Sequence, residues 1–375
     1  MATWPPFKDF LQLFGFSVKW PAGLGGELTA ELLRYTLLVK NGERWLAAAA
    51  GTAAVLLVAT VAALYRPAEL AEDVAPAPTV PPPVRAVFVG DIMLDRGVAR
   101  HAAQKGERSL VSDNVRALLA EADLRVGNLE GTITASSSVA LVDASILRFT
   151  FAPTLAETFL RDLNFSAVSS ANNHGLDFGE EGLAETRENL KRWSIATFGD
   201  PLNGSDEWAS IDVRGKTVCL VGYHDLFAQN SERVAALLAK IEPECWRSAV
   251  VAHWGEEYQA AATDRQRLLA RQFVDAGADL VIGAHPHVVQ PSEIYRGVPI
   301  FYSLGNFVFD QDFSWATTHG IAVVAEFGDD GTRVTPIALA SREMETGLAG
   351  EEEWGRVLGA LEMELAGGTV SVPRE

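Results

Sequence analysis

From Arg85 onward, short apolar runs alternate with stretches of helical periodicity. The runs that read as strands are Ala86–Val89, Leu124–Val126, Ala167–Ser170, Val218–Gly222, Ala249–Ala252, Leu280–Ile282, Ile300–Tyr302, Ile321–Phe327 and Val334–Ala340. Residues 112–121, 180–192, 232–240 and 263–276 carry the helical pattern between them. The last is sharply bounded, because Thr263 with Gln266 makes a capping box and Gly277 supplies the stop. Such alternation predicts an α/β fold. A final helical pattern through Trp354, Val357, Leu358, Leu361 and Leu365 is expected to pack back on it.

Upstream the pattern differs. Trp45 to Tyr65 contains no charged residue, and Arg44 and Arg66 bracket the run. At about 1.5 Å per residue such a helix spans about 30 Å, the thickness of a bilayer core. A cleaved signal peptide would have a shorter apolar stretch nearer the start. Lys8, Lys19, Arg34, Lys40 and Arg44 precede the span, so the positive-inside rule predicts a cytoplasmic N-terminus and export of everything after Tyr65. Within 1–44, the crowd Phe7, Phe10, Leu11, Leu13 and Phe14 and the amphipathic stretch Leu28 to Val39 could lie on a membrane or a partner. Residues 66–84 form a linker whose prolines, from Pro76 to Pro83, favour a semi-rigid stalk. The expected organisation is a cytoplasmic segment 1–44, a transmembrane helix 45–65, that linker, an α/β domain 85–345 and a C-terminal helix and tail 346–375.

Charge narrows the partners. The chain carries 31 basic and 49 acidic residues, a formal −18, and after residue 84 there remain 25 basic against 42 acidic. Such a surface repels phosphate backbones and excludes a general nucleic-acid binder. Phosphorylated substrates stay possible, because bound metal inverts the sign locally. Cys219 and Cys245 are the only cysteines; Cys219 sits in an apolar run and reads as a buried core thiol rather than half of a bridge.

The chemistry collects at strand ends. Val87-Phe-Val-Gly90 ends in Asp91, Leu124-Arg-Val126 in Gly127-Asn-Leu-Glu130, and Val168-Ser-Ser170 in Ala171-Asn-Asn-His174. Val250-Val-Ala252 ends in His253, and Val281-Ile-Gly283 in Ala284-His-Pro-His287. Ligands of open α/β sheets bind beyond the carboxyl ends of the strands, so these groups should converge on one rim. Two carboxylates, an amide oxygen and three imidazoles suit Mn, Fe or Zn, and suit calcium poorly. One or two such divalent ions would activate water and clamp a phosphoryl displacement. Singly each residue has a plainer reading: Asp91 as a helix cap, Asn172 and Asn173 as turn residues, His253 as a core imidazole, Glu130 as a solvent-facing side chain. No one of these explains five strand ends at once. His224 also ends a strand and ranks second; His101 and His319 lie off the pattern.

At these residues the chain resembles the CapA family, the poly-γ-glutamate capsule synthesis proteins of the metallophosphatase-like superfamily. The matching stretches are Gly90 to Arg96, Asn128 to Glu130, Ala171 to Asp177, His253 to Tyr258, Gly283 to Val288 and Tyr302 to Gln311. The resemblance implies a two-sheet sandwich flanked by helices, a metallophosphoesterase-like four-layer arrangement. It implies that Asp91 and His287 hold one ion, that Asn173, His253 and His285 hold a second, and that Glu130 bridges. It further implies His174 as acid/base, with Asp177 and Arg96 in the catalytic group and Asn128, Asn172, Tyr258 and Asn306 toward substrate. Two positions depart from the superfamily: Met93 stands where it places a His, and Glu130 where it places a bridging Asp.

Three readings of function follow. One is a membrane-anchored, extracytoplasmic, metal-dependent phosphoesterase or hydrolase acting on a phosphorylated substrate or an envelope polymer linkage. Another is a non-catalytic, polymer-binding or assembly subunit of a membrane complex for poly-γ-glutamate synthesis and export. A binding module on a stalk is the third, and it requires the polar strand ends to be accidental.

Overall fold

The computed structural model describes residues 82–227 and 229–361. The expected segment 1–44, the span 45–65, nearly all of the linker and Leu365 lie outside the described residues. Among those described, no helix is long and apolar enough to cross a membrane.

The chain opens with β1 (Val84–Ile92), α1 (Arg96–Lys105), α2 (Asp113–Ala120) and β2 (Leu124–Leu129). A short pair, β3 (Thr132–Ile133) and β4 (Thr150–Phe151), precedes α3 (Pro153–Asp162), β5 (Ala167–Ser169), α4 (Gly179–Arg192) and β6 (Ala196–Phe198). Next come β7 (Trp208–Val213), β8 (Lys216–His224), α5 (Ser231–Ile241), β9 (Arg247–His253), α6 (Asp264–Asp275) and β10 (Leu280–Ala284). The last elements are β11 (Ser292–Tyr295), β12 (Val298–Phe301), β13 (Asn306–Val308), β14 (His319–Gly328), β15 (Gly331–Arg342), β16 (Glu345–Leu348) and α7 (Glu351–Ala360). Every strand and helix expected among the described residues is present. The domain boundary expected after residue 345 falls inside β16, which pairs with β15 at the sheet edge.

Two sheets form. The first runs β16-β15-β14-β1-β2-β5-β6, with β13 also pairing β1, and the second runs β11-β12-β10-β9-β8-β7. Alternation along each strand sorts side chains to opposite faces. Phe88, Val126, Leu220, Val251 and Ile282 share one core between the sheets. Val87, Val89 and Val168 face a second core with helices α1 to α4. Val221, Val250, Val281 and Ala252 face a third with Leu237 and Leu238 of α5 and Leu269 and Phe273 of α6. The domain is therefore four layers, helix–sheet–sheet–helix, with both sheets buried on both sides. That is why the strands read as continuous apolar runs.

Two connections cross between the sheets at their carboxyl ends, β6 to β7 and β12 to β13. After β12 the chain leaves the second sheet, turns at Gly305 (φ 69°) and enters the first as β13. It bonds to both on the way: Leu304 N donates to Gly283 O at 3.1 Å, and Asp91 N donates to Gly305 O at 3.2 Å. A Cβ on Gly90 would lie 1.8 Å from Gly305 O, and one on Gly283 would lie 1.9 Å from Tyr302 O. Both positions therefore require glycine, one immediately before Asp91 and the other two residues before His285.

One expectation is corrected. Cys219 is not a free thiol but is bonded to Cys245, with Cα atoms 5.7 Å apart. Parallel pairing of Val218 on β8 with Arg247 on β9 brings the two cysteines side by side, a neighbourhood that their separation of 26 residues does not reveal.

Candidate metal centre

The site lies where β1, β2, β5, β8, β9 and β10 end. β1 continues past its apolar run through Ile92, so Asp91 is a strand residue rather than a helix cap. In register it faces Asn128 of β2 and Asn306 of β13. Asn128 is the hub. Its Nδ2 donates to Asp91 Oδ1 at 2.8 Å and lies 3.4 Å from Glu130 Oε2 and 3.2 Å from His253 Nδ1. Its orientation is set from behind: Asn172 Nδ2 donates to Leu129 O at 2.8 Å and to Asn128 Oδ1 at 3.1 Å. Asn128 and Asn172 are thus buried struts beneath the carboxylates.

The second sheet supplies imidazoles. His253 ends β9, and its Nε2 lies 2.8 Å from Asn173 Oδ1. Its ring centroid is 4.7 Å from that of His285, which follows β10, and His285 is 5.9 Å from His287. His287 Nδ1 lies 3.0 Å from Asn306 Oδ1 and 3.2 Å from Asp91 Oδ2. Asn306 Nδ2 donates to Thr317 O at 3.0 Å, so its oxygen is the end that faces His287. The proton therefore sits on Nδ1, and Nε2 is left free, 3.5 Å from Glu130 Oε1. Asn306 acts from behind the imidazole, the arrangement common around metal-ligating histidines.

His174 follows Asn173 into the cleft. Its Nδ1 lies 2.8 Å from Asp177 Oδ2, its Nε2 lies 4.0 Å from Glu130 Oε1, and its ring stacks at 4.4 Å on Phe149. Arg96 lies at the rim with its guanidinium 4.9 Å over Phe149 and 5.7 Å from Phe309. Its charge is balanced by Asp310, which also accepts from Gly97 N at 2.8 Å. Tyr258 is half-exposed nearby, and its hydroxyl accepts from Gln311 Nε2 at 3.1 Å.

Electrostatics match a cation site. Burial pushes the Asp91 carboxyl up, but His287 and the Asn128 amide outweigh it and hold the group below its usual range. Glu130 moves the other way: burial, and then the charge of Asp91, raise it well above the usual carboxylate value. His253 and His285 are driven down by burial and by neighbouring imidazoles, His285 to about 3. Both are neutral at physiological pH, the form that ligates metal. Glu130 Oε1 and His285 Nδ1 are buried with no hydrogen-bond partner. Such atoms are costly unless something fills the space between them. Ligand atoms of Asp91, Glu130 and His253 lie within 4.8 Å of one another, and so do those of Glu257, His285 and His287. The donor set therefore fits divalent metal.

Three residues here were not singled out from the sequence. Glu257 and Asp310 stand inside the matching stretches but not at strand ends, and Phe149 reaches His174 from a loop with no pattern of its own. His224 is in register with His253, fully buried, with Nδ1 2.6 Å from Pro201 O and Nε2 unpartnered. Met93 is buried in the core that the first sheet shares with its helices, and its sulfur accepts from Asp95 N.

Residues 85–311 match the family described as bacterial capsule synthesis protein PGA_cap. The PGA biosynthesis protein CapA of Bacillus subtilis is 37% identical over 275 residues, covering 68% of this chain and 71% of that protein. The capsule biosynthesis protein CapA of Bacillus anthracis is 30% identical over 271 residues, covering 67% and 65% respectively. A probable polyglutamine synthesis accessory protein of Mycobacterium tuberculosis is 29% identical over 226 residues, 51% of this chain and 56% of its own. The chain belongs to the PGA_cap family.

Proposed function

We propose that this family member works outside the cell membrane in making a capsular or envelope polymer, poly-γ-glutamate by the relatives' names, through a cleft that holds divalent metal and breaks or transfers a phosphoester-type linkage. The observation that carries the metal is the pair of buried, partnerless ligand atoms, Glu130 Oε1 and His285 Nδ1, between two sets of convergent donors. Asp91, Glu130, Asn173, His253, His285 and His287 would hold one or two ions. A divalent ion there supplies Lewis-acid polarisation and lowers the pKa of water. The chain's own residues do the rest. Asp177 accepts the Nδ1 proton of His174 and stabilises its imidazolium, so Nε2 faces the cleft and, when the ring carries its second proton there, can give that proton to a leaving oxygen. Phe149 packs on that ring and keeps water off one face. The Cys219–Cys245 bond supports an oxidising, extracytoplasmic location, in line with the single-pass anchor expected at 45–65.

One observation favours a non-catalytic second reading. Residue 93 is a methionine, so the site lacks the imidazole that the resemblance places there. The cleft would then grip a polyanion through its cations and serve a membrane synthesis complex as an accessory subunit. One assay separates the two: hydrolysis of an aryl phosphodiester by the purified full-length protein with added Mn²⁺. Turnover that disappears in His174→Ala and in His285→Ala supports the enzyme. No turnover by a manganese-loaded wild type, with capsule lost in the same variants, supports the accessory subunit.

A further inference from the structure

The turn after β9 carries a carboxylate, Glu257, that the ligand set above does not use. β9 ends at His253, and the turn that follows reverses the chain through Gly255 (φ 86°) and Tyr258 (φ 62°). Tyr258 N donates to Pro286 O at 2.8 Å, and Pro286 is the residue between His285 and His287. One backbone hydrogen bond thus fastens the turn carrying Glu257 to the segment carrying both imidazoles. Those two histidines also have left-handed backbones, φ 95° and 58°, a strained state that persists where surrounding contacts enforce it.

We propose that Glu257 is a metal ligand that completes an outer ion site with His285 and His287. Their ligand atoms lie within 4.8 Å of one another. Two ligands at about 2.1 Å on opposite sides of one ion are about 4.2 Å apart, so only a small side-chain movement is needed. His285 contributes the second observation: it is 5% exposed and has a ring nitrogen with no partner. The field of Glu257 already reaches the centre, since its charge helps to raise both Glu130 and Tyr258. Glu257 itself is exposed at the rim, whereas Asp91, Glu130 and His253 are buried. An ion held by Glu257, His285 and His287 would lie nearer the surface than one held by Asp91, Glu130 and His253.

This inference rests on the metal reading above, and its test separates the two. Full-length wild type, Glu257→Gln and Glu256→Gln are equilibrated with Mn²⁺, freed of excess by gel filtration and analysed for manganese per chain. Thermal melts in chelator serve as the folding control. The expected result is two equivalents in wild type and in Glu256→Gln, and one in Glu257→Gln, with equal melts. Glu257→Gln carrying as much manganese as wild type, whether one ion or two, overturns the ligand role and leaves the metal reading standing. A wild type that retains no manganese overturns both.

Discussion

The first sheet presents its carboxylates at the ends of ordinary strands. Asp91 belongs to β1, Glu130 directly follows β2, and Asn128 and Asn172 brace them. The second sheet presents nitrogen ligands from turns. Only His253 is still in a strand; His285 and His287 lie beyond β10 with positive φ, and Tyr258, which fixes Glu257, has one as well. The oxygen side is set by regular hydrogen bonding and forms with the fold. The nitrogen side stores backbone strain, on the order of 1–3 kcal/mol per such residue. An ion held between them would offset that strain and tie the sheets together.

The largest effect should come from the junction. Gly90→Val or Gly283→Val drives a side chain into backbone oxygens of the crossing segment. Either should cost more than about 4 kcal/mol in urea unfolding, or yield no folded protein. Equal tolerance at both would show that the two sheet ends are not clamped together.

Removing metal should come next. At an ion concentration a hundredfold above Kd, one site contributes about 2.7 kcal/mol. For a domain of this size, chelation should then lower Tm by about 5–10 °C. Asp91→Asn should melt low with or without chelator.

A third effect concerns the nitrogen side alone. In metal-free protein, His253 and His285 are neutral when folded, whereas unfolded histidine gains its proton near pH 6.5. Their contribution is present above about pH 6.5 and is lost as pH falls, for His285 down to about 3. The slope is about 1.4 kcal/mol per pH unit for each proton. Glu130, raised in the fold, acts oppositely: its stabilisation is present below the unfolded carboxylate value and is lost as pH rises. Urea unfolding in chelator at pH 7 and pH 5 should show a smaller loss for His285→Ala than for wild type.

The smallest effect is expected at Asn306. Asn306→Ala frees His287 to rotate and should weaken Mn²⁺ binding about tenfold in calorimetry, without the stability loss of the glycine variants.

Much of this was legible in the sequence, for a definite reason. Strands buried on both faces give unbroken apolar runs, so the polar residue at or just past the end of each run stands out, as Asp91, Glu130, Asn173, His253 and His285 do. The capping box of Thr263 and Gln266 forms as expected. What escaped notice was whatever depends on chain reversal or adjacency. Glu257 enters through a turn bonded to Pro286, and Cys245 meets Cys219 only because β8 and β9 pair. Helix α1 buries only Val98 and Ala102, too narrow a stripe to register. Asn128, Asn172 and Asn306 were expected toward substrate, but their amides are occupied in bracing ligands, a role that depends on which side chain lies behind which.

Calorimetric titration of the full-length protein with Mn²⁺, beside Asp91→Asn from the first sheet and His285→Ala from the second, tests the shared site most directly. Saturable binding in wild type, with a site lost on removing a ligand from either sheet, is the predicted result. No binding by wild type, or binding untouched by both substitutions, would contradict a metal centre built between the two sheets.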